Sequence, residues 1–250
     1  MAIAGINSIN VDSIVSGLMA AEKKRIQPTL AIKAAVDVKI SAVGDFMAKL
    51  DAFKKNTNDT LSNDAFTTSE KAKTAIATFV ATYNAMIGKA NELSKYDVGT
   101  KRAGVLNGNS AVKSTISNLK NSIYDTTNAG QLSKLHELGV SLQRDGTLKI
   151  DDTKLTDKTT NNLGDVKLLM SKVTSNVDAA VDVGDIKLGA SKATMQSQSD
   201  RYENRIDRFN DSLTAIEAAY RRQFGSVSSK IARYNDIASM ICVLVTLMHI

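Results

Sequence analysis

The chain has 250 residues, 43% of them hydrophobic, and a formal charge of +6. That is enough apolar mass for a core in one or two domains, but with no Trp, 6 Phe and 6 Tyr the core is not an aromatic-rich globule. One cysteine (Cys242) and two distant histidines (His136, His249) exclude a disulfide framework and leave too few soft ligands for a zinc site.

The N-terminus does not read as a cleaved leader. Its first cationic side chain is Lys23, and polar residues from Asn7 to Ser13 break its apolar run. Val11, Ile14, Val15, Leu18 and Met19 then form one helical stripe that Asn10 or Asp12 can cap. The single proline, Pro28, interrupts or opens the next helix, whose stripe runs Leu30, Val36, Ile40, Val43, Met47, Leu50, Phe53. Residues 54–70 are rich in Asn, Thr, Ser and Asp and read as a polar connection. Helical spacing returns with Ile76, Phe79, Val80, Tyr83, Met86 and Ile87, and a shorter helix carries Val112, Ile116, Leu119 and Ile123.

The clearest β signal is the hairpin 138–151. Val140 and Leu142 alternate with polar residues, as do Leu148 and Ile150, with Asp145-Gly146 between them; glycine accepts the positive φ such turns require. Residues 156–164 read as a loop, 166–173 as a short helix and 177–189 as a turn region containing Gly184 and Gly189.

The last helix is the most informative. Tyr202, Ile206, Phe209, Leu213, Ile216, Tyr220, Phe224, Val227, Ile231, Tyr234 and Ile237 follow one another at intervals of three and four, with a stutter at Tyr220–Phe224. That is a heptad seam, expected to form a coiled-coil arm. Glu217 and Arg221, four apart, add a few tenths of a kcal/mol.

The chemistry-bearing residues are sparse. There is no P-loop, nucleophile elbow or zinc signature, so catalysis is not expected. Asp151, Asp152 and Asp157 lack the glycine and bidentate glutamate of an EF-hand loop. Cys242 lies in an apolar run and is expected to be inert. The basic residues are scattered without interleaved aromatics, which argues against a nucleic-acid groove. The apolar tail Met240–Ile250 is about half of the roughly 20 residues a spanning helix needs, so no membrane insertion is expected. No cofactor or metal is expected either.

The expected fold is mainly α with a small β-hairpin component. Long terminal helices form a coiled-coil leg beside a helix-and-hairpin inner domain. Stripes at both ends need partners, and burial at about 25 cal/mol per Å² makes their pairing the main source of stability. A chain of this kind is built to assemble.

Here the residues carry a resemblance. AGINSINVDSIVSGLMAAEKKRIQ followed by KISAVGDFMAKLDAF is similar to the N-terminal segment of the flagellar hook-associated protein 2 family, the filament caps. FVATYNAMIGKANELSKYD, AGVLNGNSAVKSTISNLKNSIYD and LHELGVSLQRDGTLKIDDTKL resemble successive blocks of that family's inner domain, and RYENRIDRFNDSLTAIEAAYRRQFGSVSSKIARYNDIASM its C-terminal coiled coil. The resemblance implies legs at 1–45 and 191–250 and an inner domain at 46–190. The 54–70 linker stands where the family inserts its outer domains, so this would be a shortened form. The apolar end Ile241–Ile250 also departs from the family's polar terminus.

What the resemblance implies is a homo-oligomeric ring at the distal tip of an extracellular flagellum, exported without a cleaved signal peptide. It would assist folding and insertion of flagellin. Its partners would be other copies of itself, flagellin and the filament tip, with hook–filament junction proteins and an export chaperone beyond them. The contact residues expected are Ile14, Val15, Leu18, Ile206, Phe209, Leu213 and Ile216. The rival reading is a flagellin-like or other structural subunit of a filament.

Overall fold

The computed structural model describes residues 10–97, 99, 101–124 and 132–247. Helix α1 (Val11–Lys24) starts where the Ser13 N–H donates to Asn10 Oδ1 at 2.9 Å. Asp12 in its first turn and Lys23 and Lys24 in its last complement the helix dipole. Helix α2 (Gln27–Thr60) has Pro28 as its second residue, where a missing N–H leaves no bond unmade. A 3-10 turn (Asn63–Phe66) leads to α3 (Ser69–Ser94), capped by Thr68, whose hydroxyl accepts from the Lys71 N–H. Strands β1 (Tyr96–Asp97) and β2 (Arg102–Ala103) pair antiparallel before α4 (Ser110–Tyr124). The hairpin of β3 (Val140–Leu142) and β4 (Leu148–Ile150) follows, then α5 (Asp152–Asn161) and the 85-residue α6 (Leu163–Leu247). The protein is thus mainly helical, with two small antiparallel ribbons among the described residues.

The chain divides into two compact units, one of residues 1–35 with 199–250 and one of residues 36–198. In the second unit, Phe53 of α2 and Phe79 and Tyr83 of α3 form a buried trio with ring centroids 6.0–6.4 Å apart. Leu119 and Ile123 of α4 and Val173, Val177 and Val181 of α6 belong to the same apolar cluster.

An isolated two-stranded hairpin is marginal in water, and here α3 holds it. The Tyr83 hydroxyl donates to the Gly146 carbonyl at 3.0 Å. The Asn84 amide donates to the Leu148 carbonyl at 2.8 Å while its oxygen accepts the Leu148 N–H at 2.7 Å. Gly146 has φ +91, as the turn requires. Asp145 accepts from the Thr147 hydroxyl and N–H, which holds its carboxyl below the usual range. Burial pushes the Tyr83 phenol well above its ordinary value, so the hydroxyl stays a donor at any physiological pH. Tyr83→Phe leaves the Gly146 carbonyl without this partner and is expected to cost about 1–2 kcal/mol. A urea-unfolding midpoint indistinguishable from the parent would show that the bond contributes nothing.

Four expectations need correction. The connection 54–70 is shorter than expected: α2 continues through Thr60, and Leu61 and Phe66 are buried. Buried Thr57, whose hydroxyl donates to the Phe53 carbonyl at 2.9 Å, sits in the helix rather than in a loop. Residues 152–161 are helical, because Asp151 accepts from the Lys154 N–H and Leu155 and Thr159, four apart, are both buried. Residues 177–189 are no turn but part of α6, and 166–173 is its beginning rather than a separate helix.

Candidate functional site

The first unit brings the two expected contact stripes together. Val15 and Met19 of α1 pack with Leu213 of α6, all three buried, and Phe209, Ile216, Tyr220 and Phe224 close around them with Val11. This follows from patterning: the α1 stripe falls on one face at intervals of three and four, and the seam of α6 offers matching knobs. Val15 and Leu213 are thus spent on a pair within the chain. Phe209 and Ile216 pack on that pair while half-exposed, and Leu18 and Ile206 are also half-buried. Ile14 lies on the outer side, 38% exposed.

An ion pair also bridges the two helices. The Arg221 guanidinium donates to Asp12 Oδ1 of α1 at 2.6 Å and, through Nε, to Glu217 Oε1 at 2.9 Å. The i,i+4 pair was legible in the sequence; the bond across to Asp12 was not, because it joins residues 209 apart. Asp12 first and Glu217 second raise the guanidinium's already high pKa. All three groups are exposed, so their contribution is small and screened by salt.

Beyond Phe224 the seam continues without that cover. Val227, Tyr234 and Ile237 occupy three of the next four seam positions, and each is exposed, Tyr234 by 67%, while Ile231 between them is half-buried. Met240, Ile241, Leu244 and Leu247 extend the apolar row. From Gly225 to Leu247 this is about 35 Å of helix at 1.5 Å per residue. Apolar side chains in such a row are the mark of a surface meant to be covered.

Among the described residues, no group of three or more His, Cys, Asp or Glu is placed to hold a metal ion. No helix of the described residues is long and apolar enough to cross a membrane. Cys242 is exposed, so its expected inertness does not rest on burial.

The chain matches the family model described as flagellar hook-associated protein 2 C-terminus over residues 50–236. It is 28% identical over 210 residues to flagellar hook-associated protein 2 of Aeromonas caviae, covering 77% of this chain and 45% of that one. It is 25% identical over 178 residues to the lateral flagellar hook-associated protein 2 of Vibrio parahaemolyticus, covering 68% of this chain and 39% of the relative. Among solved structures, the crystal structure of the flagellar cap protein FliD D1-D2-D3 domains from Escherichia coli matches at 26% identity and a TM-score of 0.37, over 45% of this chain and 36% of that one. The chain spans less than half the length of these relatives. With the family model matched across α3, α4, the hairpin, α5 and most of α6, the chain belongs to the flagellar hook-associated protein 2 family.

Proposed function

We propose that this protein caps a flagellar filament: copies of it sit at the distal tip and hold exported flagellin subunits where they can fold and insert. No chemical bond is made or broken in that work. Family membership supplies the flagellar setting. The observation that carries the reading is the seam of α6, buried against α1 at Leu213 and exposed at Val227, Tyr234 and Ile237. In this reading α1 and the second half of α6 are a coiled-coil leg that reaches the filament's upper end, and residues 36–198 form the plate. Val15 and Leu213 hold the leg together; Ile14, Leu18, Ile206, Phe209 and Ile216 offer their remaining surface to neighbouring copies or to the filament.

A cap must step as the filament grows, so its contacts have to be weak and interchangeable. Exposed small residues beside the seam (Ala218, Ala219, Gly225, Ser226) suit shallow packing better than deep interlocking. The flagellum tip is the proposed location and flagellin the proposed partner, with hook–filament junction proteins and an export chaperone met on the way.

Light scattering across concentrations, with and without purified flagellin, tests this. A closed assembly of a few copies is expected, since a ring needs a heterologous interface that closes. Joint replacement of Tyr234 and Ile237 by lysine is expected to shift the assembly toward monomer. Open-ended growth would favour a filament subunit. Failure to change flagellin elongation from filament seeds would sink the cap.

A further inference from the structure

Within the second unit, α2 and α6 face each other through a three-rung polar ladder. Along α2 the rungs are Asp51, Lys54 and Asn58; opposite them on α6 stand Asp185, Asp182 and Asp178. Two rungs pair a donor with an acceptor: Lys54 Nζ to Asp182 Oδ1 at 2.5 Å, and Asn58 Nδ2 to Asp178 Oδ1 at 2.9 Å. The third sets one carboxyl against another. Asp185 Oδ1 is buried and has no hydrogen-bond partner among the described residues.

Two ionised carboxylates have no hydrogen between them to share, and their like charges repel. One proton resolves both problems, because the acid of one residue then donates to the carboxylate of the other. We infer that the Asp51–Asp185 rung is a proton-operated latch between α2 and α6, closed when the pair shares one proton and loosened when that proton leaves.

The surroundings support a single proton rather than a counter-ion. From α2 the charged neighbours are Asp51 and Lys54; from α6 they are Asp182 and, one rung on, Asp178. Lys54, the nearest cation, is already engaged by Asp182. Lys187, the next cation along α6, donates to the Ser114 hydroxyl of α4 at 2.8 Å. Beside Gly184, α4 presents Thr115, a hydroxyl that does not titrate. Burial first, then the charge of Asp51 and the hydrogen bond that only the protonated acid can make to it, raise the Asp185 carboxyl from 3.8 to about 6.

The sign follows from linkage. Between those two values the folded chain binds a proton that the unfolded chain has released, so stability is greatest on the acid side and falls as pH rises through about 6. The low-lying carboxyls Glu137, Asp145 and Asp157 act with the opposite sign and only in more acid solution, below the interval from about pH 5 to 7.5.

Thermal unfolding of the full chain at both ends of that interval is the test, beside amide exchange of residues 50–58. The parent is expected to lose several degrees of Tm from pH 5 to 7.5, with faster exchange in that stretch of α2. Asp185→Asn, whose amide donates to Asp51 at every pH, is expected to abolish most of the slope and to melt above the parent at pH 7.5. Asp51→Asn is expected to do the same from the other side. A parental slope retained in both variants would overturn the latch. So would an Asp185 carboxyl seen by carbon NMR of the unaltered chain to titrate in the ordinary range near 4, a readout that needs neither variant to fold.

Discussion

Phe53→Ala is expected to destabilise the unit of residues 36–198 by about 3–5 kcal/mol, the usual range for removing a fully packed ring. The side chain is 1% exposed and its ring centre lies 6.0 Å from those of both Phe79 and Tyr83. Alanine would leave a void between α2 and α3 that close-packed helices fill only in part. Phe53→Leu keeps most of the volume and is expected to cost about 1.5 kcal/mol or less. Urea unfolding at constant slope separates the two. A cost for alanine below about 1 kcal/mol would mean that this trio is not packed as described.

The second large effect concerns α6 where it crosses α4 and α2. A Cβ added at Gly184 would lie 2.6 Å from Thr115 Cγ2 and 3.2 Å from Leu50 Cδ2. Gly184→Val is therefore expected to cost about 3 kcal/mol, the overpacking penalty far exceeding the few tenths of a kcal/mol that helix propensity returns when glycine becomes valine. Adding Thr115→Ser removes the obstructing methyl group and is expected to recover part of the loss, a coupling that a double-mutant cycle reads directly. Gly189, five residues on in the same helix, has nothing within 4 Å of such a Cβ. Gly189→Ala is expected to stabilise by about 0.5–1 kcal/mol. Equal and same-signed shifts at the two glycines would overturn the claim that Gly184 is there for close approach.

That pair of glycines also explains where the sequence misleads. Glycine reads as punctuation, so Gly184 and Gly189 suggested a turn. Yet the apolar stripe runs on through Val173, Val177, Val181 and Leu188, and Gly184 occupies one of its positions. The helix kept its period while one stripe residue shrank to admit α4. Helix α5 was hidden for a different reason: only Leu155 and Thr159 are buried, too few positions to show a period, and the capping Asp151 was the one available signal. In the polar stretch after Phe53, composition outweighed the absence of any helix breaker. The hairpin was legible because its turn chemistry and its alternation agree. The α1–α6 seam was legible because eleven residues keep its spacing. What no sequence pattern carries is which partner a residue finds across the fold. Arg221 with Asp12, Asn84 with Leu148 and Asp185 with Asp51 all join residues more than 60 positions apart.

The Asn84 contact also closes part of the hairpin's edge to another strand. A short exposed ribbon offers its outer N–H and C=O groups as a template on which another chain can add a strand. In β4 the outward groups of Leu148 are both taken by one amide side chain, which imitates a neighbouring strand a single residue long. In β3 the Val140 N–H is taken by the Leu135 carbonyl. With those sites filled, strand addition loses its footing on this hairpin.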